Sequence, residues 1–463
     1  MIQSKRQAAG LVIGTLLFAI SAPVYSIGIL DAYSLALEKD PTYRAAIKEK
    51  EAGDENENIG RAGLLPKVSL NYQNSPRNWQ TQKYPASDIF GNSLGEATKR
   101  QQYRSHSSSI TLTQPLFDYE AYARYKAGVA QTMMSDERYR GKLLDLAVRV
   151  INAYVEVAYS KDQIALAEAQ KAAYKEQLTL NDRLMSAGEG TITDVSETQA
   201  RSQARYSLAE AQVIEARDAL DAAQRELEVI IGMPLNQLDE LQVLRPGKFK
   251  VAPLIPSKFE DWQKIALENN PVLAASRHGV DAAKYDVERN RAGFMPQVQL
   301  YASHSENDSS SDNTVNQKYR TDSIGVQVSM PIYSGGGVSA STRQAAARYG
   351  QAMYEMDAQT GTTLNDLRKQ YNLCISSRAK VAAYELAVQS ATTQVTATRQ
   401  SVLAGQRVNV DVLNAEQQLY SAQRDLASAK YAYIKSWITL LSDSGTLDEK
   451  DVMRVAQYFA RSR

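Results

Sequence analysis

The chain says nearly the same thing twice. ALEKDP at Ala36–Pro41 returns as ALENNP at Ala266–Pro271, and RAGLLPKVSL at Arg61–Leu70 returns as RAGFMPQVQL at Arg291–Leu300. Further on, QPLFDYEAY (Gln114–Tyr122) answers MPIYSGGGV (Met330–Val338), and AGEGTITDV (Ala187–Val195) answers AGQRVNVDV (Ala404–Val412). A duplication of this length means two copies of one supersecondary block, so the fold must set two similar units beside each other. Each block reads as short helices, two strands, a very long helix, a turn and a second long helix. That order suggests a conduit rather than a catalyst.

Composition bears on the compartment. Residues 1–26 hold a basic start (Lys5, Arg6), an apolar run from Leu11 to Ile20 and a small residue at Ser26, the pattern of a secretory signal cleaved after Ser26. The sole cysteine, Cys374, falls inside an expected helix, so the mature fold does not rest on an intramolecular disulfide. A net charge of +1 and a pI of about 7.7 argue against nucleic acid as a partner. Past the signal no apolar run approaches the ~18–20 residues of a membrane helix, and the mean hydropathy is −0.41. An exported chain this polar is either soluble or spans an outer membrane by β-strands.

Four segments alternate with period two: Val68-Leu70-Tyr72, Ile110-Leu112, Val298-Leu300 and Ile324-Val326-Val328-Met330. They are expected to form two hairpins, with long polar connections over Asn74–Ser108 and Ser303–Asp322. A sheet exposed to lipid must close on itself, because an open edge leaves backbone groups unsatisfied. Single-chain barrels begin at about eight strands. Four strands therefore require several chains to share one barrel, or else belong to a sheet in a soluble domain.

From Glu120 to about Ala187 there is no proline, and the expected helix is ~100 Å long at ~1.5 Å per residue. One heptad stripe runs through Leu144, Val148, Ile151, Val155 and Ala158, and a second through Leu143, Ala147, Val150, Tyr154 and Val157. A two-stranded coiled coil needs one seam, so two offset seams mean a helix packed between two neighbours. Ala209-Val213-Ala216-Leu220-Ala223-Leu227-Ile230 and Val412-Ala415-Leu419-Ala422-Leu426-Ala429-Tyr433 repeat the rhythm on the returning helices. At the turns, Thr193 with Asp194, and Asn409 with Asp411, are expected to cap those helices.

Nothing points to catalysis. His106, His278 and His304 stand far apart, two of them beside expected loops, and no Ser/His/Asp set has motif spacing. Gly335, Gly336 and Gly337 lack the following Lys-Ser/Thr of a phosphate loop and read as a sharp strand-to-helix turn. The expectation is a non-enzyme without cofactor or metal, apart from a cation ring considered below.

RAGLLP before the first strand, QPLFDYEAY after the second, PIYSGGG after the fourth and DVLNAEQQLYSAQ after the last turn together resemble the TolC family of outer-membrane channel-tunnels. IGRAGLLPK, PLFDYEAYA and GGGVSASTRQA resemble in particular the outer-membrane component of type I systems that secrete alkaline metalloproteases. The resemblance implies an α+β membrane protein: a homotrimer whose 12-stranded β-barrel continues into a long α-helical coiled-coil barrel in the periplasm of a Gram-negative cell. It implies a membrane-fusion (adaptor) protein, an inner-membrane ABC transporter and a secreted polypeptide as partners, with outer-membrane lipid around the barrel. On this likeness the chain divides into a signal (1–26), equatorial helices (27–65), an outer-membrane hairpin (66–116), a periplasmic helical hairpin (117–232) and a linker (233–256). The second copy gives equatorial helices (257–296), a hairpin (297–332) and helices (333–441), and an equatorial tail (442–463) with Val452, Val455, Ala456 and Phe459 on one face.

The same likeness assigns a periplasmic constriction. Asp411 matches the first ring aspartate, and Asn414 takes the second ring position, leaving three charges in the ring instead of six. Arg407 matches an arginine that bonds the neighbouring turn at the positions of Thr193 and Asp194, whereas Val402 replaces a gating tyrosine of some members. A multidrug-efflux duct of the same architecture is an alternative that the duct-lining residues do not separate from secretion, whereas a non-pore periplasmic coiled-coil adaptor protein is opposed by four amphipathic strands in two matched hairpins.

Overall fold

The computed structural model describes residues 27–187, 192–235, 241–244, 249–311 and 317–460. The expected signal over 1–26 lies outside them. In chain order the elements are α1 (Ile29–Lys39), α2 (Pro41–Arg61), β1 (Lys67–Ser87), β2 (Ser93–Phe117), α3 (Tyr119–Ala187), α4 (Ile192–Ile231) and β3 (Val243–Leu244). There follow α5 (Phe259–Asn269), α6 (Pro271–Arg291), β4 (Gln297–Ser309), β5 (Lys318–Ser329), α7 (Gly337–Leu403), α8 (Asn409–Asp443), α9 (Glu449–Ala456) and β6 (Phe459–Ala460).

The repeat is visible in the chemistry that starts and stops the helices. Asp40 caps α2 by accepting from the Tyr43 N–H at 2.6 Å, with Pro41 at the first helical position. Asn270 does the same for α6, accepting from Val272 and Leu273 at 2.9 and 3.1 Å, with Pro271 next. At the other end, α4 and α8 stop at Gly232 (φ 67°) and Gly445 (φ 75°). These left-handed residues are the usual helix terminators. Each presses on the joint between the short helices of its own repeat. A Cβ would lie 2.8 Å from Lys39 Cβ at Gly232 and 2.2 Å from the Asn269 carbonyl oxygen at Gly445.

One difference separates the copies. Asp40 is 2% exposed and takes a bidentate ion pair from Arg149 of α3, at 2.9 and 3.3 Å. Burial alone would raise its pKa, but the Arg149 bond, the Tyr43 N–H and the guanidinium charge outweigh it and hold the carboxyl below its ordinary value. Asn270 is neutral and instead donates to the Asp443 carbonyl at 2.8 Å. Because the folded pKa of Asp40 is depressed, its stabilisation is present at neutral pH and is lost as pH falls through the folded value. Arg149→Ala strands a buried carboxylate and is expected to cost about 2–4 kcal/mol. Asp40→Asn, which copies the second repeat, should cost less. Thermal unfolding of both variants checks this, and the Arg149→Ala deficit should shrink in acid.

Both seams of α3 are buried. Ile151, Val155 and Ala158 on one stripe and Val150, Tyr154 and Val157 on the other lie against a core that includes Leu227 and Ile231 of α4, Ile434 and Ile438 of α8, and Ile29 of α1. Tyr154 also accepts from the Gln242 N–H (2.9 Å) and sits edge-on to Phe459. The tail face reads as expected: Val452, Val455 and Phe459 are buried in this cluster.

The four long strands form one antiparallel sheet in the order β1-β2-β4-β5, so the two repeats meet at β2–β4 and the edges of β1 and β5 are left open. Register puts the expected apolar positions on one face. Val68 is opposite Leu112, Leu112 opposite Ala302 and Ala302 opposite Ile324, while Leu70 is opposite Ile110 and Leu300 opposite Val326. Val68, Leu70, Ile324 and Val328 are each at least 65% exposed, an apolar band left uncovered on one face of the sheet.

The strands run well past their apolar parts. Most of Asn74–Ser108 is paired strand, and the true turn spans only 88–92. In the second hairpin, Ser303–Asp308 and Lys318–Ser323 are paired as well; 312–316 lie outside the described residues. Cross-strand backbone bonds hold these rows together, and polar side chains on both faces are tolerated because both are wet.

Candidate functional site

The sequence directs attention to the far ends of the long helices. The α7–α8 turn is a tight one: Gly405 (φ 72°) donates to the Val402 carbonyl and Gln406 to that of Ser401, both at 2.9 Å. Arg407 stands exposed on this turn and Val402 is half-buried. Helix α8 starts after Val408, whose side chain cannot cap, so the residue before the helix is neither Asn409 nor Asp411. Asp411 sits half-buried in the first turn, where a carboxylate interacts favourably with the helix N-terminus. Helix α4 begins at Ile192, which places Thr193 and Asp194 inside its first turn and not ahead of it. Their side chains, and that of Asn409, lie outside the described residues. Gly335 (φ 59°) and Gly336 (φ 79°) turn the chain between β5 and α7.

Near the tip, the two helical hairpins of one chain are tied together. Asn414 on α8 accepts from Arg205 Nη2 on α4 at 2.8 Å. One residue away, Leu413 is fully buried against Tyr174 and Ala209. Two residues further, Glu416 is 3% exposed at its side chain and bonds Arg399 of α7 at 2.5 Å. Arg205, Arg399 and Glu416 were not singled out from sequence. Their signal is faint, because a charged residue on a long helix usually faces water.

Above this tie the seam between the hairpins turns polar. Tyr431 donates to Asp162 at 2.6 Å, and Lys435 pairs with Glu156. Between these two pairs and Glu416 lies a cavity of about 440 Å³ lined by residues that include Gln163, Gln170, Gln212, Gln417 and Arg424. Asp443, at the end of α8, is pushed up to about 6 by burial and then by the charge of Asp366. Its folded pKa is raised, so the stability its neutral form contributes is lost as pH rises from ~4 through ~6. Asp443→Asn should therefore stabilise the protein at pH 7 by about 2 kcal/mol and make no difference below pH 4. Thermal midpoints of the purified protein at the two pH values check this.

The histidines do not converge. His106 and His304 lie on β2 and β4, not in loops, beside Asp308 (4.0 Å) and Asp322 (2.6 Å); His278 is on α6 beside Asp281. Among the described residues no cluster could hold a metal ion, and no helix is long and apolar enough to cross a membrane.

A model of the family described as outer membrane efflux protein matches residues 32–233 and again 262–446, once per repeat. The chain belongs to this family. It is 48% identical to the alkaline protease secretion protein AprF of Pseudomonas aeruginosa, over 96% of this chain and 90% of that protein. It is 43% identical to the proteases secretion protein PrtF of Dickeya chrysanthemi, over 94% and 91%. With the outer membrane protein TolC of Escherichia coli it shares 27% identity over 96% and 87%. Among solved structures, CusC superimposes with a TM-score of 0.75 (17% identity, 91% and 93% covered), and the Campylobacter jejuni outer membrane channel CmeC with 0.73 (16%, 98% and 98%). These neighbours share the fold of outer-membrane channels. As a member of the outer membrane efflux protein family, the protein resides in the outer membrane with its large helical part on the periplasmic side.

Proposed function

We propose that three copies of this chain form the outer-membrane exit duct of a type I, ABC-transporter-driven secretion system whose cargo is an extracellular protease. The observation that carries the cargo class is identity of 48% and 43%, along nearly the whole chain, to two protease-secretion proteins, against 27% to TolC. What supports the trimer is the open sheet. Four strands with bare edges at β1 and β5 cannot stand in lipid, and three chains supply twelve strands, an even number within the range of closed barrels. The exposed apolar residues of the long helices (Leu208, Ile214 and Val229 on α4, Leu386 on α7) then face neighbouring chains.

The duct is not an enzyme on this reading. It supplies a wet path, and the work comes from the transporter, joined through a membrane-fusion adaptor. The tip is the gate. Asp411 of three chains forms a ring of carboxylates near the axis, with Asn414 leaving the second ring uncharged. Arg407 reaches the neighbour's Thr193 or Asp194. The Arg205–Asn414 and Arg399–Glu416 bonds and the polar seam hold the resting state with groups that water can replace on opening.

Assembly is tested by the mass of the protein extracted from outer membranes in mild detergent. A trimer is expected. A monodisperse monomer, soluble in the periplasm without detergent, would overturn the reading. The multidrug-efflux alternative is supported by the family's description, and drug susceptibility of a deletion strain separates the two: on the secretion reading it is unchanged.

A further inference from the structure

The first hairpin is much taller than the sheet it belongs to. Pairing of β2 with β4 stops at Ser105–Ser309, yet β1 and β2 stay paired from Asn78–Tyr103 up to Ser87–Ser93. A two-stranded ribbon therefore projects roughly 30 Å, at ~3.3 Å per residue, beyond the barrel wall on the side away from the helices. That side is extracellular. Alone in water such a ribbon is marginal, and its composition is divided in an unusual way.

Its outward face is basic. On β2, Arg100 and Arg104 continue the alternation that carries Ile110 and Leu112 outward, and on β1 Lys83 follows Trp79 on the same side. The tip is apolar. Ile89 is 93% exposed, Phe90 83% and Leu94 69%. Nor is the tip a loose loop. Asp88 accepts from the Phe90 and Asn92 N–H groups at 2.9 and 2.8 Å and from the Asn92 side chain at 2.9 Å, and its own N–H donates to the Asn92 carbonyl at 2.9 Å. The side-chain and backbone bonds from Asn92 keep the Asp88 carboxyl below its ordinary pKa. A turn this firmly built holds two large apolar side chains out in water, which is costly unless something covers them.

We propose that the three ribbons of the assembled duct lean over its mouth and bring Ile89, Phe90 and Leu94 of each chain together as an apolar cap. The cap presupposes the trimer of the preceding section and adds an occupant for its tips: the same tip of the other two copies. Dimensions agree. Twelve strands spaced ~4.8 Å apart and tilted ~40° enclose a mouth of roughly 12 Å radius, which a ribbon of about 30 Å spans easily. The ribbon continues β1, the open edge at which chains must join, so the three tips stand at equal height around one axis. The basic shafts repel one another and stay apart, which confines contact to the tips. The outward face of the shaft is mostly polar and cationic, with Trp79 near its base as its large exposed apolar residue, and the tips lie well above the apolar band.

Cysteine cross-linking tests the cap. The native Cys374 is fully buried and its thiol is pushed up to about 11 by burial, so it stays silent. Phe90→Cys and Leu94→Cys, each introduced singly, should give disulfide-linked dimers of this chain when outer membranes are oxidised with copper phenanthroline. Thr98→Cys, part-way down the shaft, should stay uncrosslinked. Both tip variants remaining uncrosslinked in trimers of intact mass would overturn the cap, as would linkage to another protein instead. If the extracted protein is monomeric, the trimeric reading itself has failed and the cap falls with it.

Discussion

Gly445→Val is expected to abolish production of folded protein in the outer membrane. The residue holds φ at 75°, a region costly for any side chain and worst for a β-branched one. Its missing Cβ is also occupied ground: the Asn269 carbonyl oxygen would be 2.2 Å away, and Asn270 N 2.9 Å. Both neighbours are backbone, fixed by the Asn270 cap and by the Asn270 side-chain bond to the Asp443 carbonyl. Strain and overlap together should exceed ~4 kcal/mol, most of the stability of a domain at the low end of the usual ~5–15 kcal/mol. The equivalent Gly232→Val meets Lys39 Cβ at 2.8 Å, a shallower overlap than the 2.2 Å to a carbonyl oxygen at Gly445, so it should be destabilising but milder. Heat-resistant folded species on gels of isolated outer membranes distinguish the two. Equal amounts of folded protein in Gly445→Val and wild type would show that the joint is not the fixed point described above.

Arg407→Ser is expected to raise resting conductance in lipid bilayers several-fold and to sensitise cells to large antibiotics, with the trimer intact. On the proposed gate, Arg407 gives charge-assisted bonds to a neighbouring turn, which are roughly twice as strong as neutral ones. Removing them frees the α7–α8 turn while the core around Tyr154 and Ile434 is untouched. Asp411→Ala acts differently. Three carboxylates near a three-fold axis repel, and a divalent cation relieves the repulsion. Cation block of conductance should weaken in Asp411→Ala. Wild-type conductance in Arg407→Ser and unaltered block in Asp411→Ala would remove both residues from the gate.

The duplication and the seams were legible because they are local. ALEKDP and ALENNP carry their caps in their own letters, and the stripes through Ile151 and Val150 report burial directly. The height of the first hairpin was not legible. Between Asn74 and Ser108 polar residues predominate on both faces and the few apolar ones do not alternate, so the period-two signal disappears although the backbone is paired on either side of the 88–92 turn. The β2–β4 pairing that fuses the repeats was out of reach as well, since strand neighbours in a sheet are set by tertiary packing. At the tip, Asn414 and Asp411 were found by likeness to a family, but their contacts depend on helix rotation. Only the structure brings Arg205 to Asn414 and Arg399 to Glu416. Capping at the α7–α8 turn departs from the expectation: Asn409 and Asp411 are good caps by residue type, but the geometry puts the cap position at Val408, just before Asn409.

The exit-duct account is tested most directly by deleting this chain in a strain that also lacks every paralogous duct, and measuring where the protease goes. The predicted result is protease that is still synthesised but remains cell-associated, with export restored by the wild-type chain. Protease reaching the medium at undiminished levels in that strain would contradict the account.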